Sequence, residues 1–546
     1  MTAPKPLRFD HVSGGQPDEV PSPTLTTQNS HSGNLNSEGL PVRRLQRDRW
    51  LWLGLALLML GVAIRVALYF PLAMYQFDSD AVLSGLCALR IAEGHLPVFF
   101  PGGTRLSAAS CYVASAYFHI FGTGRVGLAL TGLTWSTLYL VFSLLFLRAT
   151  LSPRLACLAY LFAVVPPEQF MTVTYAPWAY GEIMASCAAT LWLAAAWRND
   201  GALWQRLGFG FSVGAGLWFS LQTLMVALPA VAWIALKRRD RMANEAVAAI
   251  PAMLVGAVPF LIGNLTSRFA TFTQNWASRP VTNPGQFLSN FVWLLSYELP
   301  NLLFRSAGWR SETTVFIATY AVVAIGFAIA LRRNYADRSS PNAVREVAQL
   351  LGFAFAATVL IFSLSQAGSV RGWTDRYVAP FYVLVPLFLG IGVAALWRWS
   401  RWLAAVCVAA LLVPNLLLYG LPGSTQRAQL TTELRNDERL RALLAQHAVR
   451  MVYGNYVWVY HLNFDTRTRI AAVPFAGGDY LNYGVALGTA PVRWASMGNL
   501  DEVHSWARVA GAHGLITKDG ELYVFIADHP APNAARLLTQ LRNVEQ

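Results

Sequence analysis

Charge is scarce in this chain. Only 13% of its 546 residues are Asp, Glu, Lys or Arg, against about 25% in an ordinary soluble domain. That shortage, with 55% hydrophobic residues, excludes a soluble globule, because no interior could hide so much apolar surface. Cysteine is also sparse. The five present lie mostly in apolar runs with no CxxC, which excludes a disulfide scaffold and a structural metal ribbon. Cys87 and Cys111 are a pair that an oxidising compartment would let bridge. The histidines show no metal-ligand spacing, so no resident metal is assigned. Walker A, Gly-rich dinucleotide and nucleophile-elbow patterns are missing where they would work. No internal repeat is visible, which speaks against an inverted-repeat transporter. The basic excess, 42 against 29, forms no stripe on an exposed helix, so nucleic acid is not an expected partner.

What is abundant is long apolar runs, which make the chain an integral membrane protein. Residues 1–48 are polar and interrupted by six prolines; they cannot bury a core and are expected to be a disordered cytoplasmic tail. The run 50–70 follows Arg43–Arg49 and reads as an uncleaved first span. Lys and Arg bias then assigns the sides. Loop 71–125 lies outside; 126–147 and 155–170 follow, then 183–197. Residues 207–236 would rise about 45 Å as one helix, too long for a core of about 30 Å. They must also end on the basic Lys237–Arg241 cluster. Parity therefore demands two short passes turning near residues 220–222. Spans 246–265, 312–331, 347–366, 377–397 and 402–419 complete the set, with a second external loop at 266–311. Residues 107–121 are apolar but short, which suits an interfacial helix. The expectation is an all-α polytopic protein with about eleven transmembrane helices over 49–420, in the inner (cytoplasmic) membrane.

Residues 421–546 change character and read as a small extracytoplasmic α/β domain. A charged amphipathic helix is expected at 430–447, and strands at 451–456 and 457–463. A hairpin at 515–526 turns on Asp519-Gly520, and a last helix at 534–542 is capped by Asn533.

The first external loop holds the most informative polar residues. Asp78 or Ser79 can cap a helix running to about Glu93, with Asp80, Ser84 and Cys87 on one face. A carboxylate at the membrane boundary can act as general base on an acceptor hydroxyl or amine. Two nearby carboxylates can also hold a divalent cation against a phosphate, which leaves that cofactor open. Acids at a helix N-terminus equally serve as stabilising caps, and spacing alone favours that.

Phe77-Asp78-Ser79-Asp80, Gly85-Leu86 and Arg90-Ile91-Ala92-Glu93-Gly94-His95-Leu96-Pro97 follow one another here. Together they resemble the first external loop of bacterial membrane glycosyltransferases of the GT-C superfamily, in the protein O-mannosyltransferase-like and aminoarabinose-transferase-like group. Tyr180-Gly181-Glu182, Ala257-Val258-Pro259-Phe260 before Asn264, and Arg376-Tyr377-Val378-Ala379-Pro380 agree in order. The resemblance covers roughly residues 50–400. It implies a sugar taken from a polyprenyl-phosphate donor and passed to an envelope glycolipid, glycan or protein acceptor. By that match Asp80 is the expected base. Many relatives carry Asp-Glu where this chain has Asp80-Ala81, which weakens a second-carboxylate or metal role unless Asp78 compensates.

The donor's tail must stay in the bilayer while its phosphate and sugar sit at the surface, so a cation is needed for the leaving phosphate. Arg376 is favoured by motif, then Arg371, with Arg90 also available; lipid headgroups or Asp375 would equally engage Arg376. Glu182, Asp78 and Tyr377 are expected to orient the acceptor or a loop, although Glu182 also reads as a helix-end acid. Arg65 in the first span can reach a phosphate or snorkel. Membrane lipid is a further expected partner. The alternative function is a transporter or flippase for a lipid-linked substrate.

Overall fold

A computed structural model describes residues 40–75, 79–101, 103, 106–174, 180–273, 279–299, 302, 321–325, 328, 343–369, 377–418, 438–474, 486–519 and 522–542. Residues 48–546 form one compact unit, which takes in α1 from Asp48 onward. Its described helices are α1 (Leu40–Tyr75), α2 (Ser79–Ala92), α3 (Ala109–Phe121), α4 (Arg125–Thr150), α5 (Pro153–Val164), α6 (Glu168–Thr174), α7 (Tyr180–Asn199), α8 (Leu203–Phe219), α9 (Leu224–Lys237) and α10 (Met242–Thr266). They continue with α11 (Pro284–Trp293), α12 (Ala343–Leu364), α13 (Phe381–Trp399), α14 (Arg401–Leu418), α15 (Tyr456–Asp465), α16 (Leu500–Val509) and α17 (Ala534–Arg542).

The protein is a polytopic helical membrane protein carrying a small C-terminal sheet. Among the described residues five helical stretches are long and apolar enough to cross a bilayer: Arg49–Phe70, Arg125–Thr150, Met242–Thr266, Arg345–Leu364 and Phe381–Trp399. Pro153–Val164, Leu221–Lys237 and Arg401–Val413 are apolar but shorter. Much of the expected span 312–331 lies outside the described residues. The expected hairpin in 207–236 has its break where charge parity required one. Helix α8 stops at Phe219, the Ser220 hydroxyl accepts from the Gln222 N–H, and α9 starts at Leu224.

Two expectations need correction. The span 155–170 is not continuous, because α5 ends at Val164. Pro166 and Pro167 have no N–H to continue the ladder, and α6 starts afresh at Glu168. Residues 457–463 are not a strand but lie within α15.

Helices α8 and α10 approach closely enough to exclude side chains. A Cβ on Gly210 would stand 2.0 Å from the Ala249 carbonyl oxygen, one on Gly214 2.0 Å from that of Met253, and one on Gly256 2.4 Å from that of Phe211. Small residues at this seam let backbone meet backbone, the usual source of helix association where apolar burial gives no advantage over lipid.

The C-terminal sheet has the order β2-β1-β3-β5-β4, with β1 Met451–Gly454, β2 Ala471–Pro474, β3 Trp494–Gly498, β4 Gly514–Asp519 and β5 Leu522–Ala527. Strand β1 runs parallel to β2 and β3, while β5 is antiparallel to β3 and β4. The hairpin expected on Asp519-Gly520 is this β4–β5 pair. Asn533 Oδ1 accepts from the Arg536 N–H at 2.9 Å, as expected of a cap on α17. Helix α15 crosses from β1 to β2, packs on α2 through Phe464 and reaches the start of α4 through Asp465. The Phe464 ring, 3% exposed, lies over Gly85 and 5.9 Å from the Phe118 ring. Asp465 Oδ2 accepts from Arg125 Nη2 at 2.9 Å, at the start of α4.

Candidate active site

Polar contacts sort the helix ends into two groups. One group is basic. Arg238 after α9 donates to Glu245 Oε1 and Oε2 at 2.6 and 2.7 Å, and to the Trp197 and Arg198 carbonyls at 3.2 Å. Glu346 in α12 pairs with Lys237 at 3.1 Å and with Arg198. Asn199 Nδ2 donates to the Ala149 carbonyl at 3.0 Å. The ends of α4, α7 and α9 and the starts of α10 and α12 thus meet around cations. Arg154 over the Trp397 ring, at 5.3 Å, adds the start of α5 and the end of α13.

The opposite ends carry the loops. Ser107 N donates to the Phe219 carbonyl at 3.2 Å, and Trp218 Nε1 to the Val98 carbonyl at 2.9 Å. The Phe99 ring covers Gly263 near the end of α10. The Gln222 side chain accepts from Ala379 N at 3.3 Å, just ahead of α13. Asn290 in α11 donates to the Ser363 and Ser365 carbonyls at 3.3 and 3.2 Å, beside the end of α12. The first long loop therefore meets the end of α8 and the end of α10, and the second meets the end of α12, as charge parity requires of one membrane side.

The expected site residues distribute as follows. Asp80 lies in the first turn of α2, at this loop-bearing end. Asp78, Arg371 and Arg376 lie outside the described residues. Tyr377 is half-buried against the core immediately before α13. Arg90 is in the last turn of α2 and lines a cavity of about 490 Å³ between α2 and the C-terminal sheet.

Glu182 is fully buried in the first turn of α7. Its Oε1 accepts from Ser110 N at 3.0 Å and from the Ser110 hydroxyl. Ser110 is the second residue of α3, a helix whose own N-cap residue supplies no side-chain hydrogen bond. Glu182 thus caps α3 from another helix, where a negative charge meets unpaired N–H groups and the positive end of the dipole. Among the described residues Glu182 Oε2 has no hydrogen-bond partner.

Arg65 is 1% exposed, which departs from the snorkelling expectation. It donates to Ser136 Oγ at 2.7 Å and to the Gly61, Val164 and Ala163 carbonyls at 3.1, 3.2 and 3.0 Å. The last two are carbonyls that the proline break leaves without helical partners. Tyr69 OH extends the network to Ser136 at 3.0 Å and to Thr174 of α6. Arg65 thus ties the interrupted α5–α6 junction to the first span.

Cys87 of α2 and Cys111 of α3 are buried side by side with Ala108. Burial pushes the Cys111 thiol up, and Cys87 hydrogen-bonded to it pushes the same way. Among the described residues no three His, Cys, Asp or Glu side chains gather as metal ligands.

Sequence reading missed the Glu182–Ser110 cap, the Arg65 network and the Phe464–Asp465 clasp. The signal for Arg65 was present, since Pro166-Pro167 must orphan carbonyls inside the membrane, where each needs a donor. Nothing local announced the other two, which join residues 72 and 340 positions apart.

This arrangement, interrupted helices with loop helices at one end and a C-terminal α/β layer, is a fold shared with solved structures. The particular likeness is to ArnT from Cupriavidus metallidurans bound to undecaprenyl phosphate, with a TM-score of 0.61 over 86% of this chain and 97% of that one at 14% identity. ArnT in the apo state gives 0.60 over 88% and 98% at 13% identity. An oligosaccharyltransferase from Archaeoglobus fulgidus gives 0.43 over 90% and 77% at 12% identity. No protein-family model matches the chain, and no curated protein matches it in sequence.

Proposed function

We propose that the chain is a membrane glycosyltransferase that moves a sugar from a polyprenyl-phosphate carrier to an envelope glycolipid, glycan or protein acceptor. The observation that carries this reading is the placement of α2. It carries Asp80 in its first turn and packs against α3, whose start is capped by Glu182 of α7, and against α15 of the C-terminal domain. The fold is shared with a protein solved with undecaprenyl phosphate, which supports a lipid-phosphate donor.

In this reading Asp80 takes the proton from the acceptor hydroxyl or amine as that group attacks the anomeric carbon. The bond from the anomeric carbon to the phosphate oxygen breaks, and polyprenyl phosphate leaves with the electron pair. Arg376, with Arg371, stabilises its growing charge. Glu182 acts at one remove, by fixing the start of α3. Arg238, Lys237, Arg198 and Arg154 mark the cytoplasmic ends by the positive-inside rule. That puts residues 1–48 in the cytoplasm and 421–546 outside the inner membrane, with 49–420 spanning it. The transport alternative calls for charged groups lining a path through the bilayer, whereas buried Arg65 is held by backbone carbonyls.

The test is transfer from radiolabelled polyprenyl-phosphate sugars to envelope acceptors in membranes containing wild type, Asp80→Asn or Arg376→Ala. Donor-dependent label with wild type, reduced at least about a hundredfold by Asp80→Asn as for loss of a general base, is expected. Undiminished transfer by Asp80→Asn at equal protein level would remove Asp80 from the mechanism. Label that ignores the presence of the protein would overturn the transferase reading.

A further inference from the structure

The cavity beside Arg90 is lined by two more arginines, Arg450 and Arg469, and by the hydroxyl-bearing Thr468; one acid, Glu93, stands on the same wall. Among the described lining residues arginines outnumber acids around a space of about 490 Å³, and Arg450, Arg469 and Thr468 are solvent-exposed. Among the described residues neither Arg450 nor Arg469 has an acidic side-chain partner. Both exposed guanidinium groups border the same space, where a bound anion can draw on each of them.

The walls are also prepared. Arg450 is the residue before β1, and Arg469 lies two residues before β2. Arg450 N bonds the Arg493 carbonyl at 2.9 Å, and Ala471 N bonds the Arg450 carbonyl at 2.8 Å. The sheet edge thus fixes the backbone next to both arginines. The turn that carries Thr468 is held in an unusual conformation, with φ of 50° at Arg467 and 61° at Thr468. Thr468 N donates to the Asn463 carbonyl at 2.7 Å, and the Asn463 side chain bonds both N–H and C=O of Ala472 at 2.9 and 2.7 Å. Left-handed backbone at two successive side-chain-bearing residues costs free energy that the surrounding bonds must hold. It leaves a site that needs little further ordering when a ligand arrives. Leu86, Leu89, Leu487 and Val492 supply apolar lining to the same space.

From these residues we infer an oxyanion site at the junction of α2 and the C-terminal sheet, taking a phosphate-bearing head group whose apolar body lies on the leucines. Guanidinium rather than ammonium at both Arg450 and Arg469 fits phosphate, since each fork can donate two parallel hydrogen bonds. The site is separate from any phosphate beside Asp80. Ten helical residues put Arg90 about 15 Å along α2 from Asp80, too far for one phosphate to serve both. Arg90 therefore belongs to this second site rather than to the donor phosphate. The bound head group bridges two parts of the molecule and fastens the sheet to the loop helix.

The test uses the full chain, purified in a zwitterionic detergent, and calorimetric titration. The probes are glucose 1-phosphate for a free phosphorylated sugar, dihexanoylphosphatidic acid for a lipid head group, and glucose as the uncharged control. At least one phosphate probe is expected to bind, at least tenfold more weakly to Arg450→Glu/Arg469→Glu, with partial recovery in Arg450→Lys/Arg469→Lys. The tighter of the two phosphate probes names the source. Arg450→Gln/Arg469→Gln serves as a milder pair if charge reversal disturbs folding, as judged by circular dichroism and gel filtration. Binding no tighter than glucose for both phosphates, or unchanged affinity in a folded Glu or Gln pair, would overturn the proposal. No sugar transfer is read, so a negative result here leaves the transferase reading standing, and failure of that reading leaves this one to its own measurement.

Discussion

Gly85 gives a prediction whose sign reverses with its surroundings. It sits in the interior of α2 beneath the Phe464 ring. A methyl group there would stand 2.5 Å from Phe464 Cε2, 2.9 Å from Cδ2 and 3.2 Å from Leu128 Cδ1. Ordinary carbon contacts lie at about 3.5–4.0 Å, so the ring must retreat by about 1 Å. Phe464 is buried between α2 and Phe118 and has little room to do so. Overpacking of this kind costs about 1–3 kcal/mol. Gly→Ala in a helix interior otherwise gains about 0.5–1 kcal/mol. The balance for Gly85→Ala in the intact protein is a net loss of about 1–2 kcal/mol. Phe464→Ala by itself costs about 3–5 kcal/mol through lost burial and the cavity left behind. Without the ring the two tightest contacts are gone, and Gly85→Ala becomes neutral or stabilising by up to about 1 kcal/mol. Wild type, both single variants and the double variant would be compared by thermal unfolding in one detergent, with proteolysis of the sheet as a second readout. The double variant should unfold at or above the temperature of Phe464→Ala. Equal destabilisation by Gly85→Ala in both backgrounds, additive within about 0.3–0.5 kcal/mol, would refute the clasp.

Glu245 takes two hydrogen bonds from Arg238 and one from Trp197 Nε1 at 2.6 Å. Glu245→Ala should cost about 1–3 kcal/mol, because it removes charged hydrogen bonds from Arg238 and leaves the Trp197 N–H without its acceptor; a thermal midpoint within a degree of wild type would contradict this. Raising a thiol's pKa leaves less thiolate at a given pH. With Cys111 pushed up and fully buried, maleimide at pH 8 should label it only after unfolding. Ready labelling of the folded protein would show that α2 and α3 open on the labelling timescale.

The membrane architecture was readable because lipid imposes simple rules. Apolar length marked α1, α4, α10 and α13, and the basic clusters set a parity that called for the break at Ser220. Turn and cap chemistry carried the β4–β5 hairpin and the Asn533 cap, since those interactions act over a few residues. Residues 457–463 misled because Val, Tyr and His with Trp suit a pleated surface as well as a helix. Here the crossover from β1 to a parallel β2 needs a helix, and that is a tertiary demand. The proline pair at 166–167 did announce the end of α5, but apolar length outweighed it. In the candidate site, the start of α2 followed from local capping logic, while the choice of Asp80 rested on the resemblance of the first loop. The Glu182–Ser110 cap did not, because its two halves belong to different helices. Arg90 was legible as an external cation, whereas its neighbours Arg450 and Arg469 become neighbours only through the docking of the sheet.

The clasp also sets a timetable. Asp465 follows Arg125 by 340 residues. At roughly 5–20 residues per second, synthesis reaches it about 17–70 s after the start of α4 has emerged. Throughout that interval α2, with Asp80 in its first turn, has no sheet to rest on. Contacts so distant in sequence form late, so a chain stopped before residue 450 would carry its membrane helices yet leave the first loop uncovered. Completion of the C-terminal segment is then the step that turns an inserted protein into an assembled one, and nascent chains are exposed to membrane proteases until it arrives.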